Sequence, residues 1–368
     1  MTASVELPRW ADAALVPAVS LAAAFLVAGL VVLGIGENPL IATRLLIAGS
    51  LGSGEGLGFT LFYATNFIFT GLAVAVAYHA GLFNIGGEGQ ATLGGLGAAL
   101  VCLNLGAVPG FVLAPLGILG AAAFGAAWAW LPGYLQARRG SHIVITTIMF
   151  NWLAAVLMVY LLVNVLREPS SMQPETPAFP PQAHVPFVHD VLAAVGIEVP
   201  RSQLNLSLLL ALGTAYAVWL LIYRSRLGYA MRAVGANPTA AAYAGISQAR
   251  VTILAMTISG ALAGGLAVNE LMGFQHRLLL EFSSGYGFVG IAVALMGRAH
   301  PGGIVLASLL FGVLYQGGAE LAFERPAITR DMVIVISGVI ILFAGALDGL
   351  FRRMVTGAFA LRPRLAQA

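Results

Sequence analysis

The sequence predicts an all-α integral membrane protein, a polytopic bundle of about ten transmembrane helices. Three observations carry that expectation. Hydrophobic residues make up 59% of the 368-residue chain and charged residues only 9%, a composition far from that of soluble domains. Apolar stretches of the length a helix needs to cross a bilayer, about 20 residues, alternate with short charge-bearing connections. The period-two segments of a membrane barrel are absent.

Hydropathy windows of about 19 residues place spans near 15–35, 57–79, 87–105, 109–131, 143–165, 204–223, 251–272, 283–297, 302–319 and 332–350. Arg9 is the one basic residue before the first span, and no short apolar run with a small-residue cleavage site precedes it. It is therefore expected to be a retained helix and not a signal peptide. The second span contains Asn66 and the fifth contains Asn151, amides that either line a path or hydrogen-bond across helices.

Between the second and third spans stands GLFNIGGEGQ, residues 81–90. Each glycine costs a helix roughly 1 kcal/mol relative to alanine, so Gly81, Gly86, Gly87 and Gly89 predict that the helix breaks or begins here. Broken helices persist inside membranes where the freed backbone groups face protein or a watery cavity. A carboxylate at the bilayer centre costs about 3 kcal/mol on insertion scales. Asn84, Glu88 and Gln90 are therefore expected to face the bundle interior, as candidates for a solute pathway. The eighth span, too short to cross alone, is expected to be tilted, broken or extended by Leu278 to Phe282. It repeats the pattern with Gly285, Gly287 and Gly290. Lying five spans after the third, it would run in the opposite direction, which suggests an inverted repeat with Gly285 and Gly287 on the path. Tight helix packing is the plainer explanation for such glycines.

Glu270, Gln275, His276 and Arg277, at the outer end of the seventh span, suit a gate or a partner contact better than a solute site. The single cysteine, Cys102, excludes an internal disulfide. The six histidines show no metal-ligand spacing.

The chain has no lysine, and all eighteen of its basic residues are arginine. Placing both termini in the cytoplasm puts twelve of them on the inner side: Arg9, Arg138, Arg139, Arg224, Arg226, Arg232, Arg250, Arg298, Arg352, Arg353, Arg362 and Arg364. That bias follows the positive-inside rule. Residues 167–203 then form an external proline-rich loop, expected to be a structured cap or docking lobe with one short helix near Val191, or else a solvated connector. Residues 224–250 form a cytoplasmic loop. Within it, Asn237 can cap a helix that Pro238 begins, and Gly245 can end it. Such a short capped helix, with a smooth face, suits a groove on another protein.

GLFNIGGEGQ, RAVGANPTAAAYAGI and SGYGFVGIAVALMGRAHPGGI, in this order, resemble the permease subunit of ABC importers. The branch is that of simple-sugar and nucleoside systems, related to the ribose and branched-chain amino-acid permeases. The likeness is strongest to the longer of the two permeases in bacterial nucleoside uptake systems, and it spans residues 57–350. It implies one permease domain over 1–368 in a bacterial inner membrane. The implied partners are an ABC ATPase, a second permease of a different chain and an external substrate-binding protein, besides membrane lipid, with no role for nucleic acid. It also implies that the 224–250 loop couples to the ATPase through Arg232, Gly235, Asn237, Pro238, Ala241, Tyr243 and Gly245. Relatives often carry glutamate where this chain has Thr239. A chain without lysine cannot hold a GxxxxGK[ST] nucleotide site. The protein is thus expected to be no enzyme and to bind no cofactor itself, ATP being used by the partner. The competing reading is a secondary transporter that carries a proton or cation at Glu88.

Overall fold

The computed structural model describes residues 15–342, together with Pro8, Ala11, Leu350 and residues 352–356. Residues 343–349 of the tenth expected span, and Arg9, Arg362 and Arg364, lie outside the described residues.

Among the described residues the chain is helical, and its strand-like pairings are two isolated bridges, Glu175 with Leu279 and Phe187 with Asn205. The helices are α1 (Val16–Gly34), α2 (Pro39–Leu51), α3 (Gly54–His79), α4 (Gly87–Asn104), α5 (Gly110–Arg139), α6 (Ile143–Asn164) and α7 (Val188–Ala194). They continue as α8 (Ser207–Arg224), α9 (Arg226–Ala236), α10 (Pro238–Tyr243), α11 (Gln248–Ala267), a π-helical segment (Val268–Gln275), α12 (Tyr286–Met296), α13 (Pro301–Glu324) and α14 (Arg330–Ile341). Six of these are long and apolar enough to cross a membrane: α3, α5, α6, α8, α11 with its π-helical continuation, and α13. The number rises to seven if α1 and α2, bent by 117° at their junction, form one span. Helix α12 has only 11 residues, and before it Leu279 lies in the bridge with Glu175 and residues 280–285 form turns instead of extending the helix.

Two helices stand where the sequence suggested only connections. In α2 the Asn38 side chain accepts from the Leu40 N–H at 2.9 Å, with Pro39 in the first helical position. This is the same capping signal as at Asn237, obscured by Arg44, which splits the apolar run. In α9 the Ser225 hydroxyl accepts from the Gly228 N–H at 2.9 Å. Its apolar side buries Met231 and Val234.

The chain forms two compact units. Residues 1–52 and 313–368 make one, in which α1 packs with α2 and α14. Residues 53–312 make the other, and it holds every candidate site residue. At its centre α3 is buried over 83% of its most apolar window. Helices α4, α5 and α11 cross at glycines. A β-carbon on Gly94 would lie 2.6 Å from Cα of Gly264 and 3.2 Å from the Ala121 carbonyl oxygen, so the missing side chains set how closely these backbones approach.

The 167–203 segment is structured, with α7 around Val191, and is tied to the chain just after α11. Val185 N–H donates to the Met272 carbonyl at 2.9 Å, and Phe179 N–H to that of His276 at 2.7 Å. Arg277 pairs with Glu175 at 2.8 Å, and the rings of His184 and His276 stack with centroids 3.6 Å apart.

Candidate functional site

The starts of α4 and α12 meet. A β-carbon on Gly87 would sit 3.2 Å from the Gly287 carbonyl oxygen, and one on Gly287 would sit 2.5 Å from Cα of Glu88. Both helices therefore turn their partly positive amino-terminal ends toward one point. Glu88 supplies the negative charge there. Its Oε1 accepts from the Ser283 hydroxyl at 2.6 Å and the Gly285 N–H at 2.9 Å, and its Oε2 accepts from the Gly287 N–H at 2.8 Å. Gly285 has φ +78°, a turn that brings its own N–H and that of Gly287 to the carboxylate, while the intervening Tyr286 N–H donates to the Ser283 carbonyl at 2.8 Å. Charge-assisted bonds of this kind offset the cost of desolvating a carboxylate.

The other polar residues of GLFNIGGEGQ hold the break in place. Gly81, with φ +73°, ends α3: Leu82 N–H donates to the Ala77 carbonyl at 3.0 Å and Gly81 N–H to that of Tyr78 at 2.9 Å. Asn84 Oδ1 accepts from the Gly86 N–H at 2.8 Å, and its Nδ2 donates to Gln90 Oε1 at 2.9 Å and to the Ser259 hydroxyl at 2.8 Å. Ser259 in turn donates to the Ala73 carbonyl at 2.6 Å. From α6, Asn151 accepts from the Gly89 N–H at 2.9 Å and donates to the Ile85 carbonyl at 2.9 Å. Six of the pathway candidates thus come together: Asn84, Glu88, Gln90, Asn151, Gly285 and Gly287. Asn84 and Gln90 are buried, while Glu88 and Asn151 are half-buried.

Asn66 belongs to a different network. Its Nδ2 donates to Glu270 at 2.6 Å and its Oδ1 accepts from Asn269 at 2.8 Å. Asn269 also donates to the Phe62 carbonyl at 3.1 Å and accepts from Asn205 at 3.0 Å and the Ser207 hydroxyl at 2.6 Å. All six residues are buried. They fasten α3 and the start of α8 to the π-helical segment, a wider turn found often at functional positions. Asn205, Ser207 and Asn269 were not singled out from the sequence. The signal was the pairing of Asn269 with Glu270 inside an apolar run.

Helix α10 follows α9 in the chain and packs against α9 and the start of α11. Asn237 Oδ1 accepts from the Ala240 N–H at 3.0 Å. Gly245, at φ +80°, closes the helix, with Ile246 N–H donating to the Ala241 carbonyl at 2.9 Å. Ala241 faces inward at 4% exposure and Tyr243 outward at 91%. The Arg232 guanidinium lies over the Tyr223 ring at 5.6 Å, and Gly235 packs against the end of α3. Beneath α10 is a cavity of 310 Å³, lined among others by Gly81, Gln136, Gly235, Pro238 and Thr252.

Residues 56–345 match a family described as "Branched-chain amino acid transport system / permease component". The guanosine ABC transporter permease protein NupP of Bacillus subtilis is 34% identical over 335 residues, covering 90% of this chain and 93% of that protein. The nucleoside ABC transporter permease protein NupB of Lactococcus lactis is 33% identical, over 89% and 90%. The glucose ABC transporter permease protein TsgB13 of Haloferax volcanii is 33% identical, over 89% and 86%.

Proposed function

Because this chain belongs to the family of branched-chain amino acid transport system permease components, we propose that it is the membrane-spanning permease subunit of a binding-protein-dependent ABC importer. It moves a nucleoside or simple sugar inward and is energised by a separate ATPase. Its relatives carry nucleoside, guanosine and glucose in their names. It is a transport subunit and not an enzyme.

The observation that carries this reading is α10, a helix of 6 residues, capped at both ends, that exposes Tyr243. A carrier driven by an ion gradient has no evident use for such a helix, whereas an importer needs a rigid element for its ATPase to move. Arg232, Gly235, Asn237, Pro238, Ala241, Tyr243 and Gly245 form this coupling element. The carrier reading also loses its residue, since Glu88 is engaged by three donors.

The finer architecture is one permease domain of ten spans with both termini cytoplasmic, set in a bacterial inner membrane, with two inverted halves. The facing starts of α4 and α12 support the inverted halves, and the arginine distribution supports the orientation. The solute path runs past these two helix starts, with Glu88 and Asn151 as its polar wall. Asn84 and Gln90 hold that wall from behind, while Asn66 acts apart from it, tying α3 to the π-helical segment. A second permease of a different chain, an external binding protein docking on residues 167–203, and membrane lipid complete the assembly.

Purification from native membranes in mild detergent, followed by mass spectrometry and reconstitution, tests the reading. A co-purifying ATPase, lost when residues 237–246 become a flexible linker, with ATP-driven nucleoside or sugar uptake, is the expected result. Uptake by the chain alone under an ion gradient without ATP would overturn it.

A further inference from the structure

We infer that the backbone contact between Gly235 and Gly81 is the joint through which movement of the coupling loop reaches the broken helices. This rests on the coupling role proposed for α10. Gly235 lies at the end of α9, two residues before the Asn237 cap, and Gly81 is the left-handed residue that ends α3. A β-carbon on Gly81 would lie 3.2 Å from Cα of Gly235, and one on Gly235 would lie 2.9 Å from the Gly81 nitrogen and closer still to the His79 carbonyl oxygen. Backbone therefore rests on backbone, with no flexible side chain between to absorb a displacement.

The surroundings single out this contact. The 310 Å³ cavity borders the joint, lined by Ala80, Gly81 and Leu82, by Val234, Gly235 and Pro238, and by the end of α5 and the start of α11. Beside the joint the loop is thus backed by space into which it can move. Only five residues separate Gly81 from Gly87, where α4 starts. That stretch is pinned by Asn84 and Asn151, so a push on Gly81 is carried to the Glu88 cap and α12. A second tie runs from the same turn: a ring nitrogen of His79 is 3.0 Å from the Ala299 carbonyl oxygen, just beyond the end of α12. Both short helices are then connected to the coupling loop through residues 79–81.

Gly235→Ala is the direct test, because Gly235 does not have a positive φ and its added methyl group only pries the joint apart. Gly213→Ala, whose β-carbon meets nothing within 4 Å, is the control. In the reconstituted complex, Gly235→Ala is expected to lower the solute moved per ATP hydrolysed about tenfold. An unchanged ratio overturns the joint, whether both rates stay normal or both fall together. If the variant does not assemble, hydrogen exchange on the wild-type complex decides. Nucleotide binding should alter protection of residues 81–90, and no change there overturns the inference. Failure of the wild-type complex to show ATP-driven uptake would instead defeat the importer reading beneath it.

Discussion

Oε2 of Glu88 lies 2.8 Å from the backbone nitrogen of Gly287, so a side chain in the first turn of α4 caps the start of α12. The carboxylate therefore has a structural role that needs its charge and both its oxygens. Glutamine keeps one acceptor but turns the other into a donor facing a donor. Glu88→Gln should lower stability by about 2 kcal/mol, the net worth of a hydrogen bond to a charged group, read by thermal unfolding in detergent. Its uptake should show the wild-type pH profile. A displaced midpoint would mean that Glu88 exchanges protons during transport.

Gly287 leaves no room for a β-carbon against Glu88. Gly287→Ala should cost about 1–3 kcal/mol by overpacking and reduce uptake, because the helix starts must separate to admit the methyl group. Gly213→Ala, inside α8 with open space at its β-carbon, should leave uptake unchanged and raise stability by up to about 1 kcal/mol.

Asn269 joins Asn66, Asn205, Ser207 and the Phe62 carbonyl. Asn269→Ala leaves buried donors and acceptors without partners, at about 1–3 kcal/mol for a lost group. Asn269→Asp should not rescue it, since Asp lacks the amide that donates to Phe62 and Asn66. Thermal unfolding of the two variants beside wild type checks both statements.

Asn237 caps α10 with one side-chain oxygen. Asn237→Ala should weaken this helix by about 1 kcal/mol, and Asn237→Asp should restore most of it, because aspartate offers the same acceptor. Co-purification of the ATPase with each variant reads the effect. Equal recovery with all three side chains would show that the cap is irrelevant to coupling.

Burial holds the His276 imidazole below the ordinary histidine value of 6.5, and the charge of neighbouring His184 adds to this, against an opposing hydrogen bond with the Met272 backbone. Arg277 with its partner Glu175 flanks the stack. A detached segment binds the proton more readily than the packed one, so this contact contributes fully above pH 6.5 and loses its contribution as pH falls below that value. Limited proteolysis of residues 167–203 should accelerate on acidification below that point. His276→Gln should flatten the dependence, and an unchanged slope would assign it to other groups.

Composition and hydropathy determined the helical membrane class, because a chain with so few charges has no soluble way to hide its apolar surface. Local chemistry determined the ends of elements: the Asn237–Pro238 cap, the Gly245 stop and the break after Gly81 are all choices of backbone made within a few residues. The same rule at Asn38–Pro39 was legible too, yet hydropathy windows passed over α2 because Arg44 interrupts them. Only tertiary structure decided what the polar residues face. Asn66 and Asn84 look alike in sequence, but one ties α3 to Asn269 and Glu270, while the other ties Gly86 to Ser259. Glu88 was recognisable as a carboxylate that must be compensated. That its partners are Ser283, Gly285 and Gly287, almost 200 positions away, depends on two glycine-lined helix starts approaching within backbone contact, and no local pattern encodes that distance.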